Sequence, residues 1–260
     1  MLSLRTAALA PLLATDAVQK AQLTLALDAS LPVGAAEVLP AVAGIPGRPA
    51  RPELVAHVQL AQRSLRTVEG RAALIHSIAH IELNAIDLAL DIVWRFPDLP
   101  EAFYRDWIAI AKEEAQHFTL LREHLLMLGF DYGDFQAHNA LWEMAMRTQD
   151  DILARIALVP RTLEARGLDA SPAVKRKLVG AGDLRAGEIL DVILRDEIGH
   201  VAAGNRWYRW VCSQRGLDPV LSYEALVQRY EAPRPRAPFN LAARRAAGFS
   251  EEELERLAAP

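Results

Sequence analysis

The chain has 260 residues, 52 % of them hydrophobic, and a formal net charge of −4. That size and apolar content suit one large or two small globular domains with a sizeable core, and they exclude general disorder. The slight acidity of the whole chain offers no electrostatic footprint for nucleic acid or a membrane surface, and a local basic patch is still allowed. The single cysteine, Cys212, permits no internal disulfide and reads as a small core residue.

In chain order, "MLSLRTAALAPLLATDAVQK" has a short apolar stretch broken by Pro11 and followed at once by Asp16 and Lys20. It is expected to be a helix docked on the domain, not a signal peptide. Residues 31–52 are rich in proline and glycine without a sustained period and read as a surface connection. From about residue 65 to 213 the pattern is helical. One helix is expected over Gly70–Phe96, stopped by "FPDLP", and a second from Pro100 to Leu128, closed by Gly129. A third is expected from Gln136 with Asp134 as N-cap, and a fourth from Asp183 to Gln214, ending at Gly216. The tail, with its prolines and "EEELERL", reads as an extended wrapping segment and a short helix. The expected organisation is an N-terminal helix and wrapping segment (1–64), an all-α core (65–215) and a C-terminal wrapping tail (216–260). No apolar run approaches the roughly 18 residues needed to cross a bilayer, so a cytoplasmic protein is expected, with no membrane partner.

Two stretches, "EEAQH" (113–117) and "DEIGH" (196–200), share one skeleton. On a helix, residues three apart lie about 60° apart and roughly 4.5 Å along the axis, so Glu114 and His117 can reach one point, as can Glu197 and His200. At helical spacings Glu114 is flanked by Trp107, Ile110, Ala111, Phe118 and Leu121, and Glu197 by Leu190, Ile193, Leu194, Val201 and Gly204. Both carboxylates should therefore point inward, where each needs a cation or a proton.

A di-metal carboxylate site in a helical bundle needs one further Glu from each of two other helices. The first helix offers Glu82, alone in a stripe of Ile75, Ile78, Ala79, Ala85, Ile86 and Ala89. In the third, Glu143, Asp150, Asp151 and Glu164 compete, and spacing favours Glu164. Glu82 precedes Glu114 by 32 residues and Glu164 precedes Glu197 by 33, and each is followed five residues later by aspartate, Asp87 and Asp169. The chain thus reads as two copies of one helix pair building one site. That requires helical structure to continue past Gly167 to about Val179, with a bend near Pro160 or a break near Pro172 tolerable.

Glu113 and Asp196 precede the paired glutamates at equivalent positions and are candidates to hold the second ring N–H of His200 and His117, respectively. His76 and His80 lie one turn apart, yet His80 should face away from Glu82; core or interface histidines are expected. His57, His124 and His138 are expected at the surface, and the five tryptophans chiefly as core filler, with Trp107 able to line the site.

The stretches "HIELNAIDLAL", "KEEAQHFTLL", "VPRTLEARGLD" and "LRDEIGHVAAG", with "PFNLAARRAAGF" in the tail, resemble the ferritin-like proteins grouped as domain of unknown function 455. The resemblance covers about residues 30–250. It implies a ferritin-like four-helix bundle with a carboxylate-bridged di-iron or di-manganese centre, held by Glu82, Glu114, His117, Glu164, Glu197 and His200. By analogy with similar bundles, Glu114 and Glu197 would bridge the metals and Glu82 and Glu164 would be terminal. Carboxylate and imidazole suit iron, manganese or a mixed pair, and open positions suit O2 or peroxide. The expected function is an O2-activating oxidase or hydroxylase on an organic substrate, supplied by an electron donor; a tRNA-hydroxylase-like role is one version, which the net charge does not favour. The alternatives are a ferroxidase or iron-handling protein and a metal-braced scaffold without catalysis.

Overall fold

The computed structural model describes residues 2–61 and 63–258. Its regular structure is helical; among the described residues the only β pairing is one isolated bridge between Leu54 and Ala137. By their contacts, the residues group into two units, Met1–Trp142 and Glu143–Pro260.

In the first unit, three short helices, α1 (Leu4–Ala7), α2 (Leu9–Leu13) and α3 (Ala17–Leu25), precede a long connection and then α4 (Val68–Arg95) and α5 (Glu101–Met127). The ends of α4 follow from local chemistry. Thr67 accepts a hydrogen bond from the Gly70 N–H, with Glu69 in the first turn, and Phe96 before Pro97 stops the helix. α5 ends on Gly129, whose φ of 86° suits only glycine comfortably. There Phe130 N–H donates to the Leu125 carbonyl and Gly129 N–H to Leu126, the double closure of a left-handed cap. α4 and α5 pack along their length around Ile75, Ile86, Ala89, Trp107, Ala111 and Phe118, all buried.

α4 is also the one helix among the described residues long and apolar enough to cross a membrane by length and composition, although charged and polar residues interrupt its apolar runs. In its most apolar window 72 % of the residues are buried inside the protein, the pattern of a core helix.

The N-terminal stretch, expected as one helix, forms three short ones that dock on this pair. Arg5 is fully buried and donates to the carbonyls of Val93 and Trp94 at the end of α4 and to those of Gly34, Ala35 and Glu37 in the connection. Lys20 is also fully buried and donates to the carbonyls of Pro11 and Leu12 and to Asp87.

α6 (Ala140–Arg147) carries the chain into the second unit, which holds α7 (Ile152–Leu158), α8 (Ala165–Gly180), α9 (Leu184–Gln214), α10 (Pro219–Arg229), α11 (Leu241–Ala246) and α12 (Glu251–Ala258). The expected third helix is corrected here. Residues 136–139 are not helical, and Asp134 instead accepts from the Asp131 N–H within the preceding turn, so it does not cap a helix. Its satisfied local turn outcompetes helix initiation at that point. The helical rod that matters begins at Ile152, capped by Asp151, and continues to Gly180.

Between α7 and α8 the rod passes through a π-helical stretch, Val159–Glu164. Pro160 has no N–H and its ring crowds the carbonyl one turn back, so an α-helical bond is lost there. The wider turn accommodates the ring, and the Thr162 hydroxyl donates to the Ala157 carbonyl. Pro172 lies inside α8 without ending it. The "GAGD" turn then closes α8 on Gly182 and opens α9, where Asp183 accepts from the Ala186 N–H. The tail adds α10, which the sequence did not signal, an extended segment, and α11 and α12. Ala243, Ala247, Phe249 and Leu254 of that tail pack on Ala165 and Leu168 of α8 and Val201 of α9.

Candidate metal centre

Glu82 sits in the middle of α4 and is 3 % exposed; Glu114 and His117 share one face of α5 and are 1 % and 0 % exposed. Because α4 and α5 pack closely, the three side chains meet. His117 Nδ1 lies 3.1 Å from Glu82 Oε2 and 3.5 Å from Glu114 Oε2. Each offers a ligand atom within 4.8 Å of the others, a spacing that can hold a metal ion.

The electrostatics fit that use. Burial, and then the adjacent Glu114 carboxylate, push Glu82 well above the usual carboxylate range, against the opposing pull of His117. Burial also disfavours charge on His117, but hydrogen bonds and charge from Glu114 and Glu82 outweigh it and raise its pKa to about 11. Two carboxylates and an imidazole in an apolar interior want positive charge, and without a metal a proton on His117 is the cheapest source. A divalent cation supplies that charge directly, and the donor set is of the kind iron and manganese accept.

The second unit repeats the pattern. Glu197 and His200 share one face of α9, both buried, with His200 Nδ1 3.7 Å from Glu197 Oε1. In both motifs Nδ1 is therefore the ring nitrogen turned toward its own glutamate. Glu164 is half-buried where the π-helical stretch runs into α8, so helical structure does continue past it through Gly180. Its competitors have other places: Glu143 and Asp150 are exposed, while Asp151 caps α7 and takes an ion pair from Arg215 at 2.9 Å. Gly204, one turn after His200, lets α9 approach the π-helical stretch closely; a Cβ there would stand 3.1 Å from Pro160 Cβ.

Glu113 and Asp196 are half-buried, and Asp196 accepts from Arg195 at 2.8 Å. His76 and His80 are core residues, as expected. His80 Nδ1 is 2.8 Å from the Tyr132 hydroxyl and its Nε2 3.0 Å from the His138 carbonyl, while His76 Nε2 accepts from the Gly133 N–H. Burial lowers both to about 4, so both are neutral imidazoles. The surface expectation fails for His124, which is 5 % exposed at the end of α5, where packing covers the last turn. His138 is half-buried, and the side chain of His57 lies outside the described residues. Trp94, Trp107, Trp142 and Trp207 are buried, and so is Cys212. Lys20 was not singled out from the sequence, although a lone lysine among Ala17, Ala21 and Thr24 on the buried face of α3 was the available signal.

The family described as "Protein of unknown function (DUF455)" matches residues 13–255. The chain belongs to this family. An uncharacterized protein of Haemophilus influenzae is 50 % identical over 214 residues, which cover 80 % of this chain and 74 % of that relative. No solved structure matches the chain significantly.

Proposed function

We propose that this member of the family is a ferritin-like, non-haem di-metal carboxylate protein whose two half-sites form one centre. Glu82, Glu114 and His117 would come from the first unit and Glu164, Glu197 and His200 from the second. The observation that carries the reading is the buried contact of Glu82, Glu114 and His117, a set whose charge balance calls for a cation. The repeat of Glu-x-x-His in α9, with the same Nδ1 orientation, supports extending it to a second half.

Four carboxylates and two neutral imidazoles would give the ligand set a charge of −4, matching two divalent ions. Two iron ions, with manganese or a mixed pair as alternatives, would supply redox chemistry with O2 or peroxide when bound. The chain's own contribution is to exclude water and fix the ligands. Trp107, Phe118 and Ala111 cover the Glu114 face, and the apolar stripe of α4 surrounds Glu82. Glu82, Glu114, Glu164 and Glu197 would hold the metals together with His117 and His200, and Glu113 and Asp196 would support the two histidines. The reaction class is oxidation or hydroxylation of an organic substrate, with electrons from a separate donor, in the cytoplasm.

The test is anaerobic Fe(II) titration of the metal-free protein, then exposure to O2 with absorbance recorded. Two irons per chain and a new oxidation-dependent band are expected. Uptake without any reaction with O2 would remove the oxidase reading and leave the metal-braced scaffold; no uptake of iron or manganese would remove the metal centre itself.

A further inference from the structure

The near-neutral total charge conceals an uneven division. Residues 143–260 carry 18 Lys and Arg against 17 Asp and Glu, whereas residues 1–142 carry 11 against 16. Within the second unit most exposed cations are spoken for. Arg185 pairs with Glu188, Arg195 with Asp196, Arg215 with Asp151, Arg245 with Glu251, Arg256 with Glu224 and Lys175 with Asp191. Arg176 and Lys177 lie near the C-terminal end of α8, where positive charge favours the helix by itself.

Arg234, Arg236 and Arg166 have no such account. All three are exposed, and among the described residues none has a carboxylate partner. Arg234 and Arg236 alternate with prolines in "EAPRPRAPFN", the extended segment between α10 and α11. Both ends of that segment are tied down. The Tyr230 carbonyl accepts from Arg147 and Ala232 N–H donates to Val227, while Asn240 N–H donates to Asp169 Oδ1 at 2.9 Å and its side-chain amide to the Leu168 carbonyl. Arg166 stands on the same turn of α8 as Asp169. Arg229, exposed at the other end, rests beside the Tyr230 ring at 5.3 Å.

We propose that this proline-stiffened strap is a docking surface for the phosphate backbone of single-stranded nucleic acid. Arg234 and Arg236 are at most about 7 Å apart along the chain; Arg229 precedes the strap, and Arg166 lies three residues before Asp169, which holds the strap's far end at Asn240, so the four guanidinium forks follow one another along it. A regularly charged backbone can follow such a row, and exposed guanidinium planes accept unpaired bases by stacking. The anchored ends and prolines limit the ordering cost on binding. The inference is independent of the metal reading, because no residue of the row is a proposed ligand.

The experiment is fluorescence anisotropy of a short labelled single-stranded RNA with the full-length protein over a salt series, for the wild type and R166Q/R234Q/R236Q. Metal content and thermal midpoint are measured on the same preparations, so failure here and failure of the metal centre are read separately. The wild type should bind, and the triple variant should bind about tenfold more weakly, with the slope of log K against log salt reduced by about two. Loss of three exposed charges should leave the thermal midpoint in place. Equal binding by wild type and variant, no binding by either, or equally effective competition by poly-glutamate would overturn the proposal.

Discussion

Lys20 of α3 reaches into the core to place Nζ 2.5 Å from Oδ1 of Asp87 in α4. Asp87 stands five residues after Glu82, and its counterpart Asp169, five after Glu164, is held by the buried Arg244 of α11 at 2.6 Å. Each aspartate of the repeat is thus neutralised by a single cation from a terminal segment. In each unit a terminal segment is keyed to a helix that carries a candidate ligand. Even beside Lys20, burial pushes Asp87 up to about 6, because the apolar surroundings disfavour its charge.

Lys20→Met should therefore destabilise the protein by about 3 kcal/mol or more, since it strands a buried carboxylate. Adding Asp87→Leu to that variant should restore most of the loss, because the pair then becomes apolar. Urea midpoints for the two single variants and the double variant check this. An unperturbed Lys20→Met would show that the pair contributes nothing to docking the N-terminal helices.

Metal content separates ligands from their neighbours. If the proposed ligand set holds, Glu114→Ala and Glu197→Ala should each lower the bound metal, whereas His80→Ala, whose ring bonds Tyr132 and His138 instead, should leave it unchanged. Elemental analysis of the purified variants decides it. Retention in Glu197→Ala together with loss in His80→Ala would replace the proposed ligand set.

His76 makes a prediction about acid. Its folded pKa is lowered from 6.5 to about 4 because burial disfavours the imidazolium. The unfolded chain therefore binds the proton more readily, and the contribution is complete above pH 6.5 and lost as pH falls toward 4. A tenfold difference in proton affinity between the folded and unfolded chain corresponds to about 1.4 kcal/mol, so the full loss is roughly 3 kcal/mol. Comparing denaturation of the wild type and His76→Leu from pH 7 to 4.5 isolates it. The stability difference between them should move in favour of the variant on acidification; a constant difference would show that His76 does not titrate in that range.

Gly204 is a further position to change. A Cβ there would lie 3.1 Å from Pro160 Cβ and 3.4 Å from its Cγ, close enough that the larger Gly204→Val must push α9 off the π-helical stretch. A loss of about 1–3 kcal/mol is expected from overpacking, with Gly204→Ala milder. Because Pro160 and Glu164 share that stretch, metal uptake should fall in the valine variant as well. Thermal midpoints and metal content of both variants test it.

The long helices and the candidate ligands were legible because they rest on local rules. Periodicity, capping residues and glycine closures act over a few residues, which is why α4, α5 and α9 begin and end close to where the sequence places them. Glu82 was conspicuous for the same reason, as a carboxylate inside an apolar stripe is anomalous at any burial a helix can give it. Pairing of α4 with α5 turned that anomaly into a contact with Glu114 and His117.

What the sequence by itself determined is the all-helical class, the doubled Glu-x-x-His and the family, since each is written in residue types at fixed spacings. What only the tertiary structure decided is the partner of each buried charge. Lys20 and Asp87 are 67 residues apart, Arg244 and Asp169 are 75 apart, and the burial of His124 depends on packing around α5. The π-helical stretch at Val159 is of this kind too. Proline marks a disturbance in a helix, but whether it kinks, stops or widens the rod is settled by what packs against it, here Gly204 of α9. Local propensities are short-range and additive along the chain, whereas neutralising a buried charge is a condition on the whole fold.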